Sequence, residues 1–168
     1  MRQRLALTIV VLAASFLVPA RTHAQWRVGA GLGYEFDLTD GWLHLGVDAR
    51  YAMPTSNFEI NPRLLFNPGD GYSSTQADVN LLYKIALANT KRIVPYAGAG
   101  LLVQRFSIKS SGQFKGSSET KVGVNLLAGA RLNTTSFLSP FATAAYSVIR
   151  EQGNNMVILV GVHWSPSK

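Results

Sequence analysis

The sequence contains no cysteine, so no disulfide framework and no thiolate metal site can hold it together. An exported chain of this size must then bury a core or use a membrane. Histidine is scarce, with only three, His23, His44 and His163. No second ligand stands at matching spacing beside His44, so no metal site is expected and no cofactor is implied. After the first two dozen residues no apolar run approaches the roughly 18 residues of a transmembrane helix. The basic residues are not massed either. The formal net charge of +7 is spread as single residues along the chain, which excludes the basic stripe of a nucleic-acid binder.

What is present begins with a leader. Arg2 and Arg4 precede an apolar run from Leu5 to Val18, and Thr22-His23-Ala24 offers small residues at the two positions a signal peptidase reads. About 14 apolar residues are too few for a bilayer span, so residues 1–24 are expected to be a secretory signal peptide and residues 25–168 the mature domain. Without Arg2, Arg4 and Arg21, the 16 basic residues fall to 13 against 9 acidic ones, a mild excess of +4.

The mature chain alternates. In Trp42–Met53, Leu43, Leu45, Val47, Ala49, Tyr51 and Met53 form one set, and Trp42, His44, Gly46, Asp48, Arg50 and Ala52 the other. Successive strand side chains point to opposite faces, so this is a β-strand with one apolar and one polar face. The same period runs through Trp26–Asp37, Phe58–Phe66, Gln76–Ala86, Val94–Phe106, Thr120–Leu132, Leu138–Ile149 and Met156–Trp164. Turn-forming stretches separate them, with Ser107–Ser118 expected as the longest loop and Asn67–Ser74 as another. Pro62 removes a ladder donor mid-strand and predicts a bulge or an unpaired position. The expected fold is all-β, an eight-stranded antiparallel up-and-down barrel with no second domain.

A soluble barrel would put the apolar face inside; a membrane barrel reverses this. Three features favour the membrane. The polar face carries many glycines, among them Gly29, Gly31, Gly33, Gly46 and Gly98, which a wet outer surface does not need but a narrow lumen does. If residues 38–41 close the first hairpin, partner numbers sum to about 79. Gly31 then faces Asp48, Gly29 faces Arg50, and His44 lies roughly opposite Glu35. In the next hairpin Arg50 lies opposite Glu59, or in a shifted register Asp48 lies opposite Arg63; either pairs opposite charges, as a barrel interior requires. Finally, Trp26, Tyr51, Phe58, Tyr83 and Trp164 gather at one rim of the apolar face, and Tyr34, Phe36, Phe66 and Tyr146 at the other, with aliphatic residues between. Two aromatic girdles match two bilayer interfaces.

The signal peptide, the opening WRVGAGLGYEF, the segments VPYAGAGL and LSPFATAAY and the aromatic-ended last strand resemble the small outer-membrane barrels of the OmpA/OmpX-like family. The resemblance covers Trp26 to Trp164 and implies a Gram-negative outer membrane location, contact with its lipids and lipopolysaccharide, and dependence on periplasmic chaperones and the barrel-assembly machinery. Trp164 is matched to the terminal aromatic that this machinery reads, although Ser165–Lys168 follow it. A monomer is expected.

The polar face supplies the candidate site: Arg27, Glu35, Asp48, Arg50, Glu59, Arg63, Asp78, Lys84, Lys121 and Arg131, read as a structural charge cluster that plugs the lumen. Eight strands leave an interior just wide enough for side chains to fill it. The alternatives are a small pore, a lipid-modifying outer-membrane enzyme, and a soluble lipocalin-like carrier. His163-Trp164-Ser165 contains the His-x-Ser of lipid A deacylases, where Ser is the nucleophile and His its base. It closes the last strand at the periplasmic side, whereas that substrate lies in the outer leaflet, so no catalysis is expected. Gly29–Gly33 mimics a nucleotide loop but has no following helix. Lys109 and Lys115, in the long loop, could meet lipopolysaccharide phosphates or simply be solvated.

Overall fold

A computed structural model describes residues 26–36, 41–69, 72–87, 92–108, 116–150 and 153–165. The expected signal peptide, and the loop lysines Lys109 and Lys115, lie outside the described residues. Eight strands follow in chain order: β1 (Trp26–Phe36), β2 (Gly41–Ala52), β3 (Phe58–Asn67), β4 (Tyr72–Lys84), β5 (Ile93–Ile108), β6 (Ser117–Leu132), β7 (Leu138–Ile149) and β8 (Gly153–Trp164). Each pairs antiparallel with the next, and β1 pairs with β8, closing the barrel. No helix among the described residues is long and apolar enough to cross a membrane; the closed barrel satisfies its own backbone groups without one.

The period-two pattern separates the faces as a membrane barrel demands. Leu32, Leu43, Val47, Val79, Leu101, Val124, Leu126 and Val160 all point outward and are exposed, Leu101 by 71%. His44, Asp48, Arg50, Glu59, Arg63, Asp78 and Arg131 point inward and are buried. Apolar outside and charged inside is the reverse of a water-soluble core. Aromatics mark both rims of the outer wall. Trp26 lies 4.8 Å from Tyr51 and Phe58 5.2 Å from Tyr83 at the end holding both chain ends, and Tyr34 lies 4.9 Å from Phe36 at the opposite end.

The first hairpin is tighter than expected by one residue pair. Gly29 faces Asp48, Gly31 faces Gly46 and Arg27 faces Arg50, so partner numbers sum to 77 rather than 79. Small still meets large, because Gly29 lies against Asp48 and Gly33 against His44. In the second hairpin the shifted register holds: Asp48 faces Arg63, and Ala52 rather than Arg50 faces Glu59. Pairing between β2 and β3 lapses where Ala49 and Arg50 pass Asn61 and Pro62. Proline has no N–H for the ladder, and the Asn61 side-chain amide donates to the Ala49 carbonyl instead, at 2.9 Å. The outer wall is dented at this gap, leaving an apolar groove lined by Ala49, Pro62 and Ala77 between Val47, Leu64 and Val79.

Two expected loops are partly strand. Tyr72–Thr75 pairs with Arg105–Ile108, and Ile108 pairs with Ser117 across the next hairpin. These Ser- and Thr-rich ends carry little hydrophobic alternation, yet their backbones continue the ladder. β5 and β6, at 16 residues each, are therefore the longest strands. β6 pairs with β7 from Gly123 onward, and just before it the Val122 carbonyl accepts from the Arg150 amide at 3.1 Å. A turn with Gly153 at φ 103° starts β8, a conformation glycine adopts without the steric cost of a Cβ.

Candidate functional site: the filled lumen

Lumen glycines make room for large side chains reaching across the barrel. A Cβ on Gly46 would meet Leu159 Cδ1 at 2.8 Å and Leu65 Cδ2 at 3.0 Å. One on Gly129 would meet the Tyr96 hydroxyl at 2.6 Å. Into this space pack two apolar clusters, Leu65, Phe141, Val157 and Leu159 in one, Leu82, Tyr96, Leu127 and Ala145 in the other. The period of two places these residues on the polar face of their strands. Their signal was present, as large apolar residues in lumen phase. The plug is thus part ionic and part hydrophobic.

At the rim that holds the chain ends, Glu59 is fully buried and surrounded by cations. Arg27 Nη2 donates to Glu59 Oε1, and Lys84 Nζ stands 3.8 Å from the same oxygen. Arg131 Nη1 lies 3.5 Å from Oε2 and Arg50 Nη1 lies 4.0 Å from it. These four come from β1, β4, β6 and β2, and only the closed barrel brings them together. Arg50 is held on several sides. Its Nε lies 3.3 Å from Asp48 Oδ2, its Nη2 donates to the Tyr96 hydroxyl at 2.9 Å, and its guanidinium carbon stands 4.2 Å over the Tyr96 ring. The Tyr96 hydroxyl is in turn 2.6 Å from Thr143 Oγ1.

Asp48 also meets β8. His163 Nε2 is 3.0 Å from Asp48 Oδ1, and the His163 ring stacks on Phe141 with centroids 4.0 Å apart. Asn61 Nδ2 donates to Asp48 Oδ2 at 2.9 Å. His163 is therefore committed inside the lumen, and Ser165 Nα donates to the Phe137 carbonyl at 3.0 Å. Sequence reasoning found His163 only as part of His-x-Ser; its carboxylate partner lies 115 residues away.

Further along the lumen the charges pair off. Arg63 Nε and Nη2 both donate to Asp78, Nη2 at 2.8 Å to Oδ2. Gln76 Nε2 and Asn80 Nδ2 donate to the same carboxylate at 2.9 and 2.7 Å. Neither amide was singled out from sequence. Near the opposite rim His44 Nε2 lies 2.5 Å from Glu35 Oε2, and Asn155 Nδ2 donates to Glu35 Oε1 at 2.7 Å. Lys121 lies apart from these groups and pairs with Glu119 at 3.3 Å, at the end of β6. No group of three or more metal-ligating side chains occurs among the described residues.

Such an arrangement is suited to filling and locking a barrel. Its polar groups face one another and its apolar wall faces outward. A sequence profile of the outer membrane protein beta-barrel domain matches residues 6–165. No curated protein sequence matches the chain significantly. Among solved structures the chain is similar to the N-terminal β-barrel domain of OprF from Pseudomonas aeruginosa, at 17% identity and a TM-score of 0.63, covering 86% of this chain and 99% of that one. It is similar to the Neisserial surface protein NspA at 14% identity and a TM-score of 0.65, covering 83% and 94%. For Ail of Yersinia pestis the values are 12%, 0.60, 86% and 99%.

Proposed function

The chain belongs to the outer membrane protein β-barrel family and resides in the outer membrane, and from that premise we propose that it is a non-catalytic, plugged barrel that contributes to envelope integrity. The observation that carries this reading is the filled lumen. Arg50, Glu59, Asn61, Leu82 and His163, from β2, β3, β4 and β8, are each at most 2% exposed. A conducting pore needs a continuous wet path, and the packing of Leu65 from β3 with Phe141 from β7 and Leu159 from β8 supports a filled interior instead. An enzyme acting on lipid needs a nucleophile and base open to the bilayer. His44 and His163 instead point into the lumen, onto Glu35 and Asp48.

The even strand number brings both ends to one rim, which we assign to the periplasm. Trp164, 48% exposed at that rim, then stands where an assembly-signal aromatic is expected. The outward residues meet lipid hydrocarbon, with lipopolysaccharide at the opposite rim, and chaperones and the assembly machinery deliver the chain. The ionic groups Glu35, Asp48, Arg50, Glu59, Arg63, Asp78, Lys84 and Arg131 act as structural locks, and Lys121 joins them only at the margin.

Membrane fractionation with a heat-dependent gel shift tests the location and the barrel together; protein freely soluble in the periplasm would overturn both. Planar-bilayer recording tests the plug. The expected record shows no stable conductance, and a stable, ion-selective current would overturn it. Trp164→Ala is expected to lower the amount of heat-modifiable barrel in outer membranes while leaving the melting of the assembled fraction near wild type.

A further inference from the structure

We propose that the chain-end rim of the lumen is a binding site for a small oxyanion of the phosphate class, seated among Arg27, Arg50, Lys84 and Arg131. Four cations meet there, and only two carboxylates, Glu59 and Asp48, lie among them. Asp48 is already occupied by Arg50 Nε, Asn61 Nδ2 and His163 Nε2. Glu59 is therefore left to answer for most of the remaining positive charge. Two of its contacts, Lys84 Nζ at 3.8 Å and Arg50 Nη1 at 4.0 Å, are too long for hydrogen bonds.

Donors are left over there. Arg50 Nη1 and Arg27 Nε are buried and have no hydrogen-bond partner in the protein; Arg63 Nη1 is the same, but its guanidinium has its own carboxylate in Asp78. Arg50 is 1% exposed, so bulk water does not solvate it. A buried cation with unused donors is costly, and an acceptor-only anion supplies both the missing charge and the missing acceptors. Entry is available from one side. The Lys84 side chain is 25% exposed and that of Arg27 17%, whereas Arg50 and Glu59 lie deeper. The two carboxylates oppose an anion, but they are outnumbered by two to one. Elsewhere in the lumen no such crowding of cations occurs among the described residues: Arg63 is matched by Asp78, and Glu35 meets His44 and Asn155.

The site does not depend on the lumen being sealed, so its failure would leave the location and the plug as they stand. The experiment uses the chain purified from outer membranes in an uncharged detergent. Inorganic phosphate is titrated against sodium chloride of matched ionic strength, with calorimetry and thermal unfolding as readouts. The expected result is saturable phosphate binding, weakened about tenfold in Lys84→Gln, the loss of one charge-assisted contact. Glu59→Gln is the sharper variant, because it removes a competing carboxylate and is expected to tighten phosphate binding. A purely structural Glu59 predicts no such gain. If Glu59→Gln folds only when phosphate is present, that rescue also supports the site, and failure of phosphate to rescue it overturns the site. Stabilisation that merely follows ionic strength, or equal affinity in wild type and Lys84→Gln, overturns it as well. In vesicles, stabilisation by phosphatidylglycerol with none by inorganic phosphate would assign these donors to a lipid headgroup and overturn the lumen site.

Discussion

The two halves of the lumen solve the same problem differently. Away from the chain ends, each charge has a dedicated partner. Arg63 holds Asp78 through a two-nitrogen fork, with Gln76 and Asn80 filling the remaining carboxylate lone pairs, and His44 holds Glu35. At the chain-end rim Glu59 is instead shared by Arg27, Arg50, Lys84 and Arg131. A paired carboxylate can be lost at the expense of one cation. A shared one is, among the described residues, the only carboxylate in contact with Arg27, Lys84 and Arg131 together. Removing a charge should therefore be far more damaging at one end than at the other.

The strongest test of this contrast is Glu59→Gln in chloride buffer without phosphate. It leaves four cations facing a neutral amide, and a loss of about 3–5 kcal/mol in urea unfolding of the detergent-folded barrel is expected. A loss no greater than that of Asp78→Asn would erase the contrast. Next in size is a change on the outer wall. Leu101→Arg sets a charge against the hydrocarbon core, and a penalty of about 2–4 kcal/mol is expected in vesicles; an unchanged urea midpoint would show that Leu101 does not face lipid. Asp78→Asn leaves Arg63 short of one charge but keeps an acceptor, so about 1–3 kcal/mol is expected by the same unfolding measurement. Smallest is the double variant Arg63→Met with Asp78→Leu. Replacing both members of a buried pair with apolar groups of similar volume is expected to stay within about 1 kcal/mol of wild type. A large loss there would mean that Gln76 and Asn80 depend on the pair.

Much of the architecture was legible in the residue order. Leu43, Leu45 and Val47 against His44, Gly46 and Asp48 specify a strand with two unlike faces, and eight such stretches specify a barrel wall. Pro62 marked the lapse in pairing, because a missing N–H is a local fact. Registers were less legible. Turn length sets register, and a one-pair change in the first hairpin moved Asp48 from Gly31 to Gly29 without altering which face it occupies. The ends of β4, β5 and β6 were hidden because Ser and Thr carry no hydrophobic phase. The apolar half of the plug was also missed. Leu65, Leu82 and Leu159 stand among polar neighbours on their face, and only the opposing glycines reveal the space they fill.

Alternation and the placement of bulk and charge were enough to determine the wall, because side-chain direction in a strand follows from local geometry. They also determined which residues face lipid and which face the lumen. Who meets whom inside was decided only by closure. β1 pairs with β8, which carries His163 to Asp48, and the curvature of the wall gathers Arg27, Arg50, Lys84 and Arg131 around Glu59 from four different strands. Contacts across a lumen depend on the register of every hairpin between them, and no local stretch of sequence contains that sum.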